Sequence, residues 1–135
     1  MLIDTSVLIA AARPRERLHT SAAAALRSAE GESLAVPVSI LAETMSLLRA
    51  RSGVDQQRRF WDGYMASGIE LIAVDVELLD AARDIDRRYE DVGFGFADCT
   101  LLAACERLRC ARLLSFDRRL AVYRPSFAPA LQLLP

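Results

Sequence analysis

Short apolar runs alternate along this chain with longer segments in which apolar residues recur at helical spacing. The apolar runs fall at residues 2–3, 34–36, 69–74 and 113–116, and a fifth run at 131–134 predicts an edge strand. Alternation of this kind is typical of an α/β domain, in which amphipathic helices cover a mostly parallel sheet. We therefore expect a three-layer α/β/α architecture with a central sheet of four to five strands.

Length and composition favour a single domain, residues 1–135. The chain is 53% hydrophobic and shows no repeat, low-complexity tract or linker. A globular chain of this size buries about two-thirds of its surface when it folds, which is enough for a true core. This composition excludes an intrinsically disordered chain.

The helical segments are predicted from their apolar spacing and from the residues that end them. Pro14 stops the first helix, and Ser39 is expected to cap the third. In the fourth helix Phe60, Trp61 and Tyr64 share one side, which favours packing in the core or in a dimer over stacking on bases. The predicted helices cover residues 7–12, 16–29, 40–51, 55–66, 76–89 and 96–108, with a short helix at 117–122.

The net charge of −1 excludes a polycation that coats nucleic acid by bulk charge. All 17 basic residues are arginine, whose planar fork suits phosphate oxygens. Contacts to phosphate therefore have to be local, and the alternative for each arginine is a solvated surface position. The candidates near the predicted rim of the sheet are Arg49, Arg51, Arg112, Arg118 and Arg119.

The three cysteines predict reduced thiols. Cys99, Cys105 and Cys110 are odd in number and lack the paired spacing of zinc ligands. We expect small core side chains in a reducing compartment. No basic segment precedes an apolar stretch at the N-terminus, and no apolar run approaches the ~20 residues of a membrane span. The cytoplasm is therefore the expected location, without a membrane partner.

Four acidic residues fall where strands end or where the following helices begin. Asp4 and Asp117 follow predicted strands, whereas Glu43 and Asp98 lie in the first turns of predicted helices. Ligands of open parallel sheets bind beyond the carboxyl ends of the strands, so these acids are expected to converge on one rim. Each aspartate has an alternative role as a helix N-cap. Glu43 is not at the capping-box position, which is Ala42, and beside an apolar stripe it needs a partner.

Crowded carboxylates predict a divalent cation. Several carboxylates in one place repel unless some are protonated or a cation neutralises them. A ligand set of oxygen without His or Cys indicates Mg²⁺ or Mn²⁺, which supports in-line displacement at a phosphate. The hydroxyls of Thr5, Ser6 and Ser115 lie near the acids in sequence and are candidates for orienting a ligand or water. Capping and turn bonds are their alternative role.

Other chemistries fit the sequence poorly. The only histidine is His19, and no G-x-S-x-G motif accompanies it, which excludes a serine triad. No Walker loop is present. The Gly93-Phe94-Gly95 segment follows a predicted helix and has Asp98 where a dinucleotide fingerprint needs its third glycine.

The chain resembles PIN-domain ribonucleases, and in size and pattern the VapC-type toxins of bacterial toxin–antitoxin pairs. Four stretches carry the resemblance in order: IDTSVL at 3–8, LAE at 41–43, FADCTLLAA at 96–104 and LLSFDRRL at 113–120. Each is weak alone, and together they span nearly the whole chain. One departure is Phe96, which is bulkier than the small residue expected two positions before the central aspartate and would narrow a substrate groove.

The resemblance implies a Mg²⁺- or Mn²⁺-dependent endoribonuclease. It implies metal-ligand and catalytic roles for Asp4, Glu43, Asp98 and Asp117, with Asp117 often acting through water. Ser115 stands where the family usually has Thr or Ser. The resemblance also implies a homodimer, and a VapB-type antitoxin that wraps the toxin and blocks its active site, often with an arginine.

The leading hypothesis is therefore hydrolysis of RNA phosphodiesters by a metal-activated water, leaving 5′-phosphate and 3′-hydroxyl ends. One alternative is a non-catalytic PIN-like module that binds RNA or protein; it predicts a missing acid, and all four are present. Another is a phosphatase with Asp4 as nucleophile. Such haloacid-dehalogenase-like enzymes need a second acid two residues on, where this chain has Ser6.

Overall fold

A five-stranded parallel sheet forms the centre of the protein, as the sequence predicts. The computed structural model describes all 135 residues. The strand order is β3-β2-β1-β4-β5, and every neighbouring pair is parallel. The strands are β1 (Leu2–Ile3), β2 (Ala35–Pro37), β3 (Glu70–Ile72), β4 (Arg112–Leu114) and β5 (Gln132–Leu134). The expected α/β fold with four to five strands is thus confirmed, and the last apolar run is an edge strand.

Six α-helices and one 3₁₀ turn surround the sheet. They are α1 (Thr5–Ala12), α2 (His19–Ser28), α3 (Val38–Ser52), α4 (Val54–Ser67), α5 (Val76–Arg88), α6 (Phe96–Leu108) and the 3₁₀ turn Arg118–Val122. None of the helices combines the length and the apolar composition that a membrane crossing requires.

Three predicted helix starts are wrong. The first helix begins at Thr5 rather than at residue 7, because the Asp4 side chain caps it. The second helix begins at His19 rather than at residue 16, because residues 13–18 form turns. The third begins at Val38, with extended Pro37 as its N-cap. Ser39 therefore does not cap it. Its Oγ instead lies 2.6 Å from Oγ1 of Thr100 and ties the start of α3 to α6.

Helix α6 contributes more buried residues than any other helix. Eight of its residues are buried, among them Cys99, Thr100 and Cys105. It packs against both α5 and α3, so burial extends beyond one amphipathic face. The continuous core comprises 28 buried residues. Burial of Cys99 and Cys105 agrees with the prediction of unpaired core thiols, and Cys110 is partly buried.

The aromatic residues of α4 divide between core and solvent. Tyr64 is buried and stacks against half-buried Phe60, with ring centroids 6.5 Å apart. Trp61 is 54% exposed, so it does not pack in the core, and its packing in a dimer stays a prediction. Adjacent residues on a helix point about 100° apart, and only the Phe60–Tyr64 pair at i, i+4 shares a face.

The order in which strands are added to the sheet reverses at β1. The chain adds β2 and β3 on one side of β1, then returns to place β4 and β5 on the other side. Strand β1 pairs with β4 through the register Ile3–Leu114, and the N–H of Asp4 donates to the carbonyl of Leu114 at 2.9 Å. The carboxyl ends of β1 and β4 are therefore neighbours at a topological switch point, where open α/β sheets bind their ligands.

Candidate active site

All four predicted acids line one cavity of about 440 Å³ at this switch point. Thr5 and Ser6 also line it, and two arginines, Arg51 and Arg119, complete its charged wall. The predicted convergence is thus present in the structure. Topology explains it: Asp4 ends β1, Asp117 follows β4, and α3 and α6 bring Glu43 and Asp98 to the same rim.

Asp4 is buried and held by hydroxyl groups on one oxygen only. Its Oδ2 accepts hydrogen bonds from Ser6 Oγ at 2.6 Å and Ser115 Oγ at 2.7 Å, and from the N–H of Ser6 at 3.4 Å. The last bond caps α1, so the N-cap role and a place in the cavity coexist. No hydrogen bond within the protein uses Oδ1, which leaves that oxygen available to a ligand.

Ser6 and Ser115 also fix the loop that carries the fourth acid. Ser6 Oγ accepts the N–H of Phe116 at 3.0 Å, and Ser115 Oγ accepts the N–H of Asp117 at 2.9 Å. Each hydroxyl thus donates to Asp4 and accepts from this loop. The two serines are 109 residues apart, and only the β1–β4 pairing brings their side chains together, with Oγ atoms 3.4 Å apart.

Glu43 lies on α3, in its second turn, and meets Thr5. The Oγ1 of Thr5 donates to Oε2 of Glu43 at 2.6 Å. The expected partner is therefore present, although Glu43 itself is exposed rather than set against a buried face. As with Asp4, one carboxylate oxygen is bonded within the protein and the other, Oε1, is not.

The surroundings of Asp98 oppose the ionisation of its carboxyl group. It lies in the first turn of α6 and accepts the N–H of Gly95 through Oδ2 at 3.2 Å, which satisfies the helix start. Burial raises the pKa of its carboxyl, and the negative charges of Asp4 and Asp117 raise it further, against the Gly95 bond and the Arg119 charge. A cation bound in the cavity would offset both the burial of this charge and the repulsion by its neighbours.

Asp117 has the opposite environment because Arg119 binds it. Nη2 of Arg119 lies 2.6 Å from Oδ2 of Asp117, and Nε lies 3.1 Å from both oxygens. These bonds hold the pKa of the Asp117 carboxyl below its usual range. The same Nη2 lies 3.5 Å from Oδ2 of Asp98, so a single guanidinium spans two of the four acids.

A family model, described as PIN domain, matches residues 1–124. The chain belongs to the PIN domain family. Among known proteins, this PIN domain is similar to Ribonuclease VapC26 of Mycobacterium tuberculosis (strain ATCC 25618 / H37Rv), with 29% identity over 119 residues, 88% of this chain and 87% of that protein. Its fold is similar to the crystal structure of Mycobacterium tuberculosis VapC20, described as a Sarcin-Ricin loop cleaving toxin. The TM-score is 0.79 at 20% identity, covering 86% of this chain and 88% of that one.

The donor set of this PIN domain fits a hard divalent cation. The side chains of the lining that can ligate a metal offer only oxygen, because the lining contains no histidine or cysteine. Asp4, Glu43 and Asp98 each keep an oxygen that no protein group uses. No three acidic side chains lie close enough to share one ion in this arrangement, in which Arg119 stands between Asp98 and Asp117.

The arginines predicted near the rim separate into three groups. Arg51 and Arg119 line the cavity of the PIN domain. Arg112 is paired with Glu32, away from the cavity. Arg49 and Arg118 are exposed and lie outside the cavity wall.

Sequence reasoning missed two features of the site. Glu16 and Leu18, from the turns before α2, belong to the cavity wall, and nothing in their local sequence signals this. The pairing of Arg119 with Asp117 was also missed. Its signal is the spacing Asp-x-Arg at the start of a helical turn, where the Asp117 side chain also accepts the Arg119 N–H at 2.9 Å.

Proposed function

We propose that this PIN domain is a divalent-metal-dependent endoribonuclease and the toxin of a toxin–antitoxin pair. The observation that carries the proposal is the convergence of Asp4, Glu43, Asp98 and Asp117 on one cavity at the switch point of the sheet. Similarity to Ribonuclease VapC26 and to the VapC20 toxin supports the reaction class. The expected products of RNA hydrolysis carry 5′-phosphate and 3′-hydroxyl ends.

The four acids are proposed to hold Mg²⁺ or Mn²⁺. Such an ion, when bound, activates water and neutralises charge that develops on the phosphate oxygens. The protein contributes the fixed geometry around it. Ser6 and Ser115 hold Asp4 by one oxygen and leave the other without a hydrogen bond, and Thr5 does the same for Glu43. Orientation of this kind typically accounts for roughly 10–100-fold in metal affinity or activity.

RNA, an antitoxin and a second copy of the chain are the proposed partners. The resemblance to VapC-type toxins supports a VapB-type antitoxin that blocks the acidic cavity, a homodimer, and action in the cytoplasm. We also propose that residues 1–135 act as one PIN-like domain. One continuous core of 28 buried residues joins the sheet to the helices that surround it.

Cleavage of RNA by the purified protein tests the proposal. We expect cleavage in Mg²⁺ or Mn²⁺ and none in EDTA. Asp4→Asn keeps the size of the side chain but removes the charge, and is expected to reduce the rate at least about 100-fold. The matched control is Asp62→Asn on α4, which changes an exposed acid outside the cavity and should cleave at the wild-type rate.

Two results would contradict the proposal. Equal cleavage by Asp4→Asn and wild type in Mg²⁺ would show that the cavity acids are not the active site. RNA binding without cleavage in either metal would instead favour the non-catalytic module considered from the sequence.

A further inference from the structure

Arg119 places a positive charge among the acids of the cavity, and a metal site formed by the four acids does not need this charge. Its guanidinium binds Asp117 through Nε and Nη2, and the same Nη2 reaches Oδ2 of Asp98. Both oxygens of Asp117 are therefore used by one side chain. A divalent ion held by Asp117 would compete with the guanidinium for these oxygens, and the two positive charges would repel each other.

The ion pair between Arg119 and Asp117 can dissociate without displacing the acid. The Arg119 side chain is 54% exposed, and an ion pair at this exposure is weak. The backbone bond from the Arg119 N–H to Oδ1 of Asp117 does not depend on the guanidinium. Asp117 is also held through its own N–H by Ser115. The acid thus stays in place when the guanidinium leaves.

Release of Arg119 would leave a phosphate-binding group at the edge of the cavity. Arginine binds phosphate oxygens through its planar fork, and metal binding removes the negative charges that now hold it. An RNA phosphate entering the cavity would then be the nearest anion. Arg51, the other arginine of the cavity wall, forms no ion pair, so it is not exchanged in this way.

We propose that Arg119 binds an RNA phosphate in the metal-loaded protein. In the metal-free protein it instead bridges Asp98 and Asp117 as an internal cation. The proposal rests on the proposed ribonuclease function and deepens it by naming a substrate-binding residue.

Calorimetric titration with Mn²⁺, without RNA, tests the competition. Arg119→Ala removes the internal cation and is expected to bind Mn²⁺ about two- to fivefold more tightly than wild type, the size of effect of a part-exposed ion pair. Arg118→Ala is the matched control, since it changes the adjacent exposed arginine, which has no ion pair and lies outside the cavity. Arg119→Lys keeps the charge without the fork and should fall between wild type and Arg119→Ala.

Thermal unfolding gives an independent readout. In EDTA, Arg119→Ala is expected to unfold at a lower temperature than wild type because the acids lose their cation. In saturating Mn²⁺ this difference should shrink or disappear. Mn²⁺ affinity of Arg119→Ala that is equal to or weaker than wild type would overturn the competition, and so would a failure of wild type to bind Mn²⁺.

The phosphate contact is tested by the kinetics of RNA cleavage in saturating Mn²⁺. For Arg119→Ala we expect KM to rise about fivefold with kcat within about twofold. The slope of log KM against log salt should fall by about 0.7, as for one lost phosphate contact to a single strand. An unchanged KM and slope would overturn the phosphate role. The Mn²⁺ titration contains no RNA, so absence of cleavage by wild type would refute the proposed function and leave the competition result standing.

Discussion

Ser115→Ala is expected to weaken both the fold and the site. The Ser115 side chain is 2% exposed. Its hydroxyl donates to Asp4 Oδ2 at 2.7 Å and accepts the Asp117 N–H at 2.9 Å. Alanine removes both bonds at once and leaves the Asp4 carboxylate with Ser6 as its only hydroxyl donor.

The magnitude follows from these two bonds. A hydrogen bond to a charged group contributes about 1.5–3 kcal/mol, and an unsatisfied buried donor costs about 1–3 kcal/mol. Ser6 Oγ still donates to the same Asp4 oxygen at 2.6 Å, so the carboxylate keeps one of its two hydroxyl donors. We therefore expect the free energy of unfolding to fall by about 2 kcal/mol, which lowers the Tm by about 6–8 °C at this chain length.

Urea and thermal unfolding in EDTA measure the stability, and Mn²⁺ affinity and RNA cleavage measure the site. We expect about a 10–100-fold loss of metal affinity or activity, because Asp4 loses part of its orientation. Ser115→Thr keeps the hydroxyl and should restore most of that loss. The control is Ser46→Ala, an exposed serine of α3, which should stay within about 0.5 kcal/mol of wild type.

A Ser115→Ala protein that unfolds like Ser46→Ala would refute the reasoning. It would mean that the hydroxyl bonds to Asp4 and to the Asp117 loop do not hold the site together.

Two further predictions concern ionisation. The raised pKa of Asp98 stabilises the folded protein only below the ordinary pKa of an aspartate, and this contribution is lost as the pH rises through the raised value. Asp98→Asn should therefore raise the Tm of the metal-free protein at neutral pH, and the gain should vanish in acid. Thermal scans at both pH values measure this difference, and an unchanged Tm at neutral pH would contradict it. Burial raises the pKa of Cys99 to about 11 and that of Cys105 still further, so iodoacetamide at about pH 8 should alkylate only Cys110 in the folded protein. Peptide mass spectrometry checks this, and equal labelling of Cys105 and Cys110 would exclude it.

The sequence by itself determined the order of strands and helices and the place of the acids. Apolar periodicity is a local property, so the five strands and six helices could be predicted with errors mainly at their ends. Asp4 and Asp117 directly follow strands, and parallel strands must bring such positions to one edge. The convergence of the four acids on one cavity was therefore predictable, and their roles as metal ligands remain proposals.

Only the tertiary structure decided which groups these acids contact. Ser6 and Ser115 share one oxygen of Asp4 across 109 residues of chain, and Thr5 reaches Glu43 across 38. Arg119 spans Asp98 and Asp117, an arrangement that its local sequence only half indicates. Hydrogen bonds and ion pairs depend on differences in distance of a few tenths of an ångström and on which oxygen lone pairs are free. Those quantities are set by strand register and helix packing, which no local pattern of residues encodes.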